Sequence, residues 1–256
     1  MNGACRGINK KVCVVFGGSS GIGKAICKEL AKRGGKVIAV GRDGKKALET
    51  VQLLCHTSQR QNHASFSCDV TNYSSVEATI SQIEATAGDI NVLVNAAGVN
   101  KDGLLLRAKL NDIDNIVSTN LLGSMYSCKA VLKSMIKRRQ GSIVNIGSVV
   151  GLKGNTGQSI YSASKSGLVG FTTSLAKEVA SKGVQVNLVA PGLVESKMTA
   201  DLINSESDKG ASYRSLVPLK RFGKATEIAH GVCFLVQSSY ITGQVLVIDG
   251  GLQLVL

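Results

Sequence analysis

Apolar, strand-like runs alternate with segments of helical periodicity along almost the whole chain, the pattern of a parallel sheet covered by helices on both faces. Val12 to Phe16 reads as a first strand. Ile22, Ala25, Ile26 and Leu30 follow at helical spacing, Gly34 and Gly35 stop that helix, and Lys36 to Gly41 reads as the second strand. Further strands are predicted at Ala64 to Cys68, Asn91 to Asn95, Ser142 to Gly147, Val184 to Ala190 and Val245 to Ile248, seven in all. Helices are predicted near 45–56, 74–87, 109–138, 158–181 and 225–236. No linker divides them. The expectation is a single doubly wound α/β domain over residues 11–256, with a seven-stranded parallel sheet and a short polar extension over 1–10. The more polar, irregular stretch from Leu193 to Val217 reads as a mobile flap over a site.

Composition removes several classes. With 256 residues, 44% of them apolar, the chain can bury a substantial core. Its 29 Gly and 2 Pro are scattered between apolar runs, which excludes collagen-like and low-complexity classes. No run of about 18 apolar residues exists, so no membrane span is expected. Seven cysteines, an odd number with no C-x-x-C pair, suit a reducing compartment and no structural metal. Three histidines far apart in sequence disfavour a metal hydrolase or a histidine base. The net charge of +13 calls for an anionic partner without choosing among nucleic acid, lipid, phosphorylated ligand or acidic protein. Arg6, Lys10 and Lys11 precede the first acidic residue, Glu29, so the N-terminus reads equally as an import signal or as a frayed polar end.

Gly17-Gly18-Ser19-Ser20-Gly21-Ile22-Gly23 lies between the first strand and an amphipathic helix. Glycines there let the chain turn tightly and let a pyrophosphate approach the amides of the helix N-terminus, as in Rossmann-type domains. The spacing, G-x-x-x-G-x-G, is one residue longer than the usual dinucleotide fingerprint. At the end of the second strand, an enzyme using NAD usually places an acid. Here Gly41 and Arg42 stand instead, and a guanidinium suits a 2′-phosphate, so NADPH is the expected cofactor over NADH. Ser20 and Lys24 are near enough in sequence to help. Asp43 competes as a ribose-binding acid but reads more simply as a helix N-cap.

Tyr161 and Lys165 are four apart in a helical segment, so both project from one face. A neighbouring ammonium stabilises phenolate and is expected to bring the tyrosine toward working pH as a proton donor to a carbonyl oxygen.

With Asn95-Ala96-Ala97-Gly98 and Tyr161-Ser162-Ala163-Ser164-Lys165, the chain resembles the short-chain dehydrogenases/reductases from about Lys11 onward. The runs Asp102 to Leu105, Thr119 to Ser124, Ser142 to Asn155, Ala190 to Gly192 and Ile241 to Gln253 look like the 3-oxoacyl-[acyl-carrier-protein] reductases, an animal mitochondrial member in particular. Phe16 and Ala96 depart from the family, where many members have Thr and Asn, and bear on the rigidity of the cofactor loops.

The resemblance implies roles. Catalytic positions are Asn120, Ser148, Tyr161 and Lys165: Ser148 bonds the substrate carbonyl, Asn120 holds a water behind the lysine, and Lys165 also bonds the nicotinamide ribose. Cofactor positions are Gly17, Ser19, Ser20, Gly21, Ile22, Gly23, Arg42, Asp69, Val70, Asn95, Ala96, Tyr161, Lys165, Val194 and Ser196. Many NADPH-using relatives carry Arg at the Ser20 position. Asp69 would meet the adenine, with a helix cap as its alternative. Arg139 and Lys182 match positions that dock an acidic acyl carrier protein, although cations at helix ends also complement the macrodipole. The expected reaction is reduction of a 3-oxoacyl thioester in mitochondrial fatty acid synthesis, in the mitochondrial matrix, with the cytoplasm as the alternative. The helices near 109–138 and 158–181 are expected to pair in a tetramer, of one subunit type or mixed with a related subunit. Two rival readings stay open: a broad carbonyl or quinone reductase, and a non-catalytic protein binding NADPH or nucleic acid. Against the last stand the intact catalytic positions and the lack of a basic run interleaved with aromatics, which make up only 4% of the chain.

Overall fold

The computed structural model describes residues 7–57, 62–196, 199 and 213–255. Strands β1 (Val12–Phe16), β2 (Lys36–Gly41), β3 (Ala64–Ser67), β4 (Ile90–Asn95), β5 (Gly141–Ile146), β6 (Val184–Pro191) and β7 (Val245–Ile248) form one parallel sheet. Their order is β3-β2-β1-β4-β5-β6-β7. The helices are α1 (Gly21–Lys32), α2 (Gly44–Thr57), α3 (Tyr73–Ala87), α4 (Leu110–Val117), α5 (Gly123–Arg138), α6 (Val150–Lys153), α7 (Ser159–Val179) and α8 (Ala225–Gln237). Every residue of β1 is buried, because the strand is covered on both faces.

The period of two sorts side chains between two layers. Cys13 and Val15 of β1 join Ile26 and Leu30 of α1 and Val232 and Val236 of α8. Val12, Val14 and Phe16 face the other way, onto Ile80 of α3, Val131 and Met135 of α5, and Val179 of α7. Truncating a fully buried anchor such as Met135 to Ala would cost about 2–5 kcal/mol. The strand order reverses between β1 and β4, which opens a crevice at the C-terminal ends of these strands.

Several boundaries differ from the sequence reading. Ile8 is buried in the core, and Lys10 N donates to Gly34 O at 2.8 Å, so the folded unit starts before residue 11. Residues 1–6 of the expected extension lie outside the described residues. So do 197, 198 and 200–212, most of the expected flap; within the rest, Val194 pairs with Gly223 in an isolated bridge. The helix expected at 109–138 divides into α4, a π-helical turn at Ser118–Leu122, and α5. Asp43 does cap α2, accepting from Lys46 N at 3.2 Å. Asn72 rather than Asp69 caps α3, accepting from Ser75 N at 3.0 Å. Among the described residues no helix is long and apolar enough to cross a membrane.

Candidate active site

The crevice is a cleft of about 640 Å³. Its nucleotide end is built from backbone. Gly17 adopts φ +78°, and a Cβ there would lie 2.5 Å from Ala97 N; a Cβ on Gly23 would run into the Gly17 carbonyl. Loop, helix start and the turn after β4 therefore approach more closely than side chains allow. Ser20, the N-cap of α1, makes no side-chain cap bond, and the first turn holds no acidic residue. The free amides and positive dipole end at that spot fit an anionic pyrophosphate. Gly17, Ser19, Ser20, Gly21, Ile22 and Gly23 all line the cleft.

Arg42 lines it too, with Lys46, whose Nζ is paired with Asp43 at 2.8 Å. A Cβ on Gly41 would meet Ser19 Oγ at 2.9 Å, so an acid at that position would displace the serine. Val70, Ala96, Val194 and Ser196 are lining residues, whereas Asp69 and Lys24 are not. The Asp69 carboxylate instead accepts from Thr71 N and Oγ1 at 3.0 and 2.9 Å. The Thr71 amide, foremost, and the nearby Arg42 charge hold it below the ordinary carboxylate range.

At the other end of the cleft Ser148 follows β5, and its Oγ accepts from Val150 N at 3.2 Å, which leaves its own proton free to donate. Tyr161 lines the same cleft as Ser148. Lys165, one turn further along α7, is buried; its Nζ donates to Ile146 O at 2.8 Å and stands 5.8 Å from the Tyr161 ring centre. Burial lowers its pKa to about 8. The expected balance between the pair is reversed here. Burial raises Tyr161 above its ordinary pKa, Asp102 adds to this, and Ser148 only partly opposes it. The phenol thus keeps its proton in the unliganded protein.

Two predicted residues stand behind the cleft wall. Asn120 is fully buried within the π-helical turn; its Oδ1 accepts from Val99 N at 2.8 Å, and its Nδ2 donates to Val99 O at 2.9 Å and Ser164 Oγ at 3.0 Å. Ser164 Oγ in turn donates to Tyr161 O at 2.7 Å, so Asn120 braces the turn that carries the tyrosine. Its amide is fully engaged with protein. Asn95 is the clear correction: its side chain does not face the cleft. Nδ2 donates to Asn145 Oδ1 at 2.9 Å and Oδ1 accepts from Ser127 Oγ at 2.6 Å, in a buried network that continues from Asn145 to Thr172. Arg139 and Lys182 precede β5 and β6, at the opposite end of the strands from the cleft. Arg139 Nη2 donates to Ser181 O at 2.7 Å, a helix-end contact.

The structure also brings Asn100, Asp102, Asn155 and Gln158 into the cleft lining, none of them given a site role from the sequence, although Asp102 and Asn155 belong to runs that carry the resemblance. Asp102 and Gln158 bond each other across 56 residues of chain, so no local spacing could reveal them.

Residues 11–207 match the family model described as short chain dehydrogenase. The chain belongs to the short-chain dehydrogenases. This short-chain dehydrogenase is 51% identical over 246 residues to a human 3-oxoacyl-[acyl-carrier-protein] reductase, covering 96% of the chain and 99% of that protein. It is 50% identical to Carbonyl reductase family member 4 of Danio rerio, with the same coverage, and 42% identical to 3-oxoacyl-[acyl-carrier-protein] reductase FabG of Escherichia coli, covering 96% and 98%. The crystal structure of gox2181 superposes with a TM-score of 0.91 at 31% identity over 96% of each chain. As a member of this family, the protein is an oxidoreductase that works with a nicotinamide cofactor.

Proposed function

We propose that this short-chain dehydrogenase reduces the 3-oxo group of an acyl thioester carried by an acyl carrier protein, with NADPH as reductant. The observation that carries the reading is that Ser148, Tyr161 and Lys165 share one cleft with the glycine cradle at the N-terminus of α1. The names of the human and bacterial relatives support the carrier thioester as substrate. Arg42, with Lys46 beside it and no acid at position 41, supports the phosphorylated form of the cofactor.

The nicotinamide, when bound, supplies the hydride. Ser148 Oγ, with its proton free, donates to the carbonyl oxygen and stabilises charge developing there. Tyr161, kept protonated by burial, gives its proton to the same oxygen, so hydride and proton together convert the ketone to an alcohol. Lys165, as an ammonium, stabilises the phenolate that results, and Asn120 holds the α7 turn in place through Ser164.

Arg139 and Lys182 are proposed as a carrier-docking surface. The six residues of β5 separate them from the reacting end by about 20 Å, so a carrier docked there must deliver its acyl group on a long arm. Leu121, Leu122, Met125, Ala130, Val169 and Phe171 are only half-buried in the single chain, which supports a tetramer through the α4–α5 and α7 surfaces. The mitochondrial matrix is the proposed compartment, on the resemblance to an animal mitochondrial member of the family. The name of the zebrafish relative makes a quinone the comparison substrate.

The test pairs substrates with a variant. An acetoacetyl thioester should turn over faster with NADPH than with NADH and faster than a quinone. Tyr161→Phe should still bind NADPH while kcat falls by about 100-fold or more. Near-normal turnover in the Phe variant would overturn the proton-donor assignment.

A further inference from the structure

One polar cluster beside Tyr161 has no part in the reading above. Asp102 lies between β4 and α4, and its Oδ1 accepts two hydrogen bonds at 2.7 Å, from Asn100 Nδ2 and from Gln158 Nε2. Gln158 immediately precedes α7, three residues before Tyr161, and its Oε1 accepts from Asn155 Nδ2 at 2.9 Å. The same two segments are joined through backbone, Gly103 N donating to Gly157 O at 2.8 Å. Asn100 Oδ1 is buried and has no partner, so among the described residues the Asp102 carboxylate is what orients that amide. The phenol of Tyr161 feels the Asp102 charge. A carboxylate committed to two short bonds at the wall of a cleft is both a mechanical tie and a fixed negative charge.

We propose that Asp102 is a positioning residue for Tyr161: through Gln158 it clamps the segment after β4 onto the start of α7. The proposal rests on the reading of Tyr161 as the proton donor. A nearby anion disfavours phenolate, so it keeps the donor loaded. The remaining charged and titratable groups on the packed elements differ in kind. Lys101 is occupied by Asp112 of α4 at 2.8 Å, and Arg107, Lys109 and Lys153 are exposed. Lys165 approaches Tyr161 from its own helix, and Tyr213 lines the cleft from the described C-terminal part of the flap.

The experiment follows tyrosine ionisation directly, in the unliganded enzyme, by NMR of protein labelled at the tyrosine ring carbon bearing oxygen. The chain has five tyrosines, and the Tyr161 signal is the one absent from Tyr161→Phe. Asp102→Asn keeps an acceptor for Asn100 and Gln158 but removes the charge. The Tyr161 titration should then move down, with the other tyrosines unmoved. Gln158→Leu keeps the charge and cuts the tie; KM for the acetoacetyl thioester should rise several-fold, and the Tyr161 titration should broaden or shift as Asp102 is released. A Tyr161 titration identical in wild type and Asp102→Asn overturns the charge role, and an unchanged KM in Gln158→Leu overturns the clamp. Either failure leaves the donor assignment intact. That assignment fails separately, by turnover in Tyr161→Phe.

Discussion

Replacing Lys165 by Met should change how stability depends on pH. In the folded protein burial lowers the pKa of this ammonium from 10.5 to about 8. Below pH 8 the group is charged in both folded and unfolded chains, and the full desolvation penalty opposes folding. Between about 8 and 10.5 the unfolded chain binds more protons than the native one, so wild-type stability rises with pH; above 10.5 both states are neutral and the penalty is gone. The whole effect is about 3 kcal/mol, at ~1.4 kcal/mol per tenfold change in proton affinity, and about 2 kcal/mol of it falls between pH 7 and 10. Met removes the penalty at every pH and also removes the bond to Ile146 O, a loss of about 1–3 kcal/mol that does not vary with pH. The assay is urea unfolding of both proteins across that range, monitored by circular dichroism. The wild type should gain on the variant as pH rises. A constant difference would mean that burial does not penalise the Lys165 charge.

Gly41→Asp with Arg42→Leu should weaken NADPH binding by about 10- to 100-fold and spare NADH, because charge-assisted bonds worth about 1.5–3 kcal/mol are lost. Equal weakening in fluorescence titrations with each cofactor would remove Arg42 as the phosphate reader. Reversing Arg139 and Lys182 to Glu should raise KM several-fold for a carrier-bound substrate and leave a free ketone unaffected, with the contrast fading in high salt. Lys182→Glu alone separates docking from the Arg139 bond to Ser181 O, and an unchanged ratio of KM values would reduce both cations to helix-end charges. Light scattering at micromolar concentration should give about four times the 26.7 kDa chain mass, and a monomer would remove the assembly.

The sheet was legible because covered strands are written as unbroken apolar runs. Val12–Phe16, Lys36–Gly41 and Val245–Ile248 lie where the pattern puts them. The π-helical turn leaves little mark on the sequence, because it shifts the apolar phase by one residue, which a window of two helical turns absorbs. The strand period of two places Asn95 once the layer of its neighbour is known. Leu93 faces the layer of α3, α5 and α7, and two residues along a strand share a face, so Asn95 had to point into that layer and away from the cleft. Asp102 and Gln158 have no such signal, since their meeting is made by the tertiary fold.

The π-helical turn has a geometrical consequence for the length of the chain itself. Each residue of a regular helix advances the side chains by about 100° around the axis. The surplus residue in Ser118–Leu122 lets two faces be aimed independently: Asn120 at the Val99 amide, and Val131 and Met135 at the sheet. Winding the same residues as an ordinary helix, without that surplus, would rotate α5 against α4 by that angle. Either the apolar face or the asparagine would then be turned to the wrong side. The segment works as a phase coupling between scaffold and site.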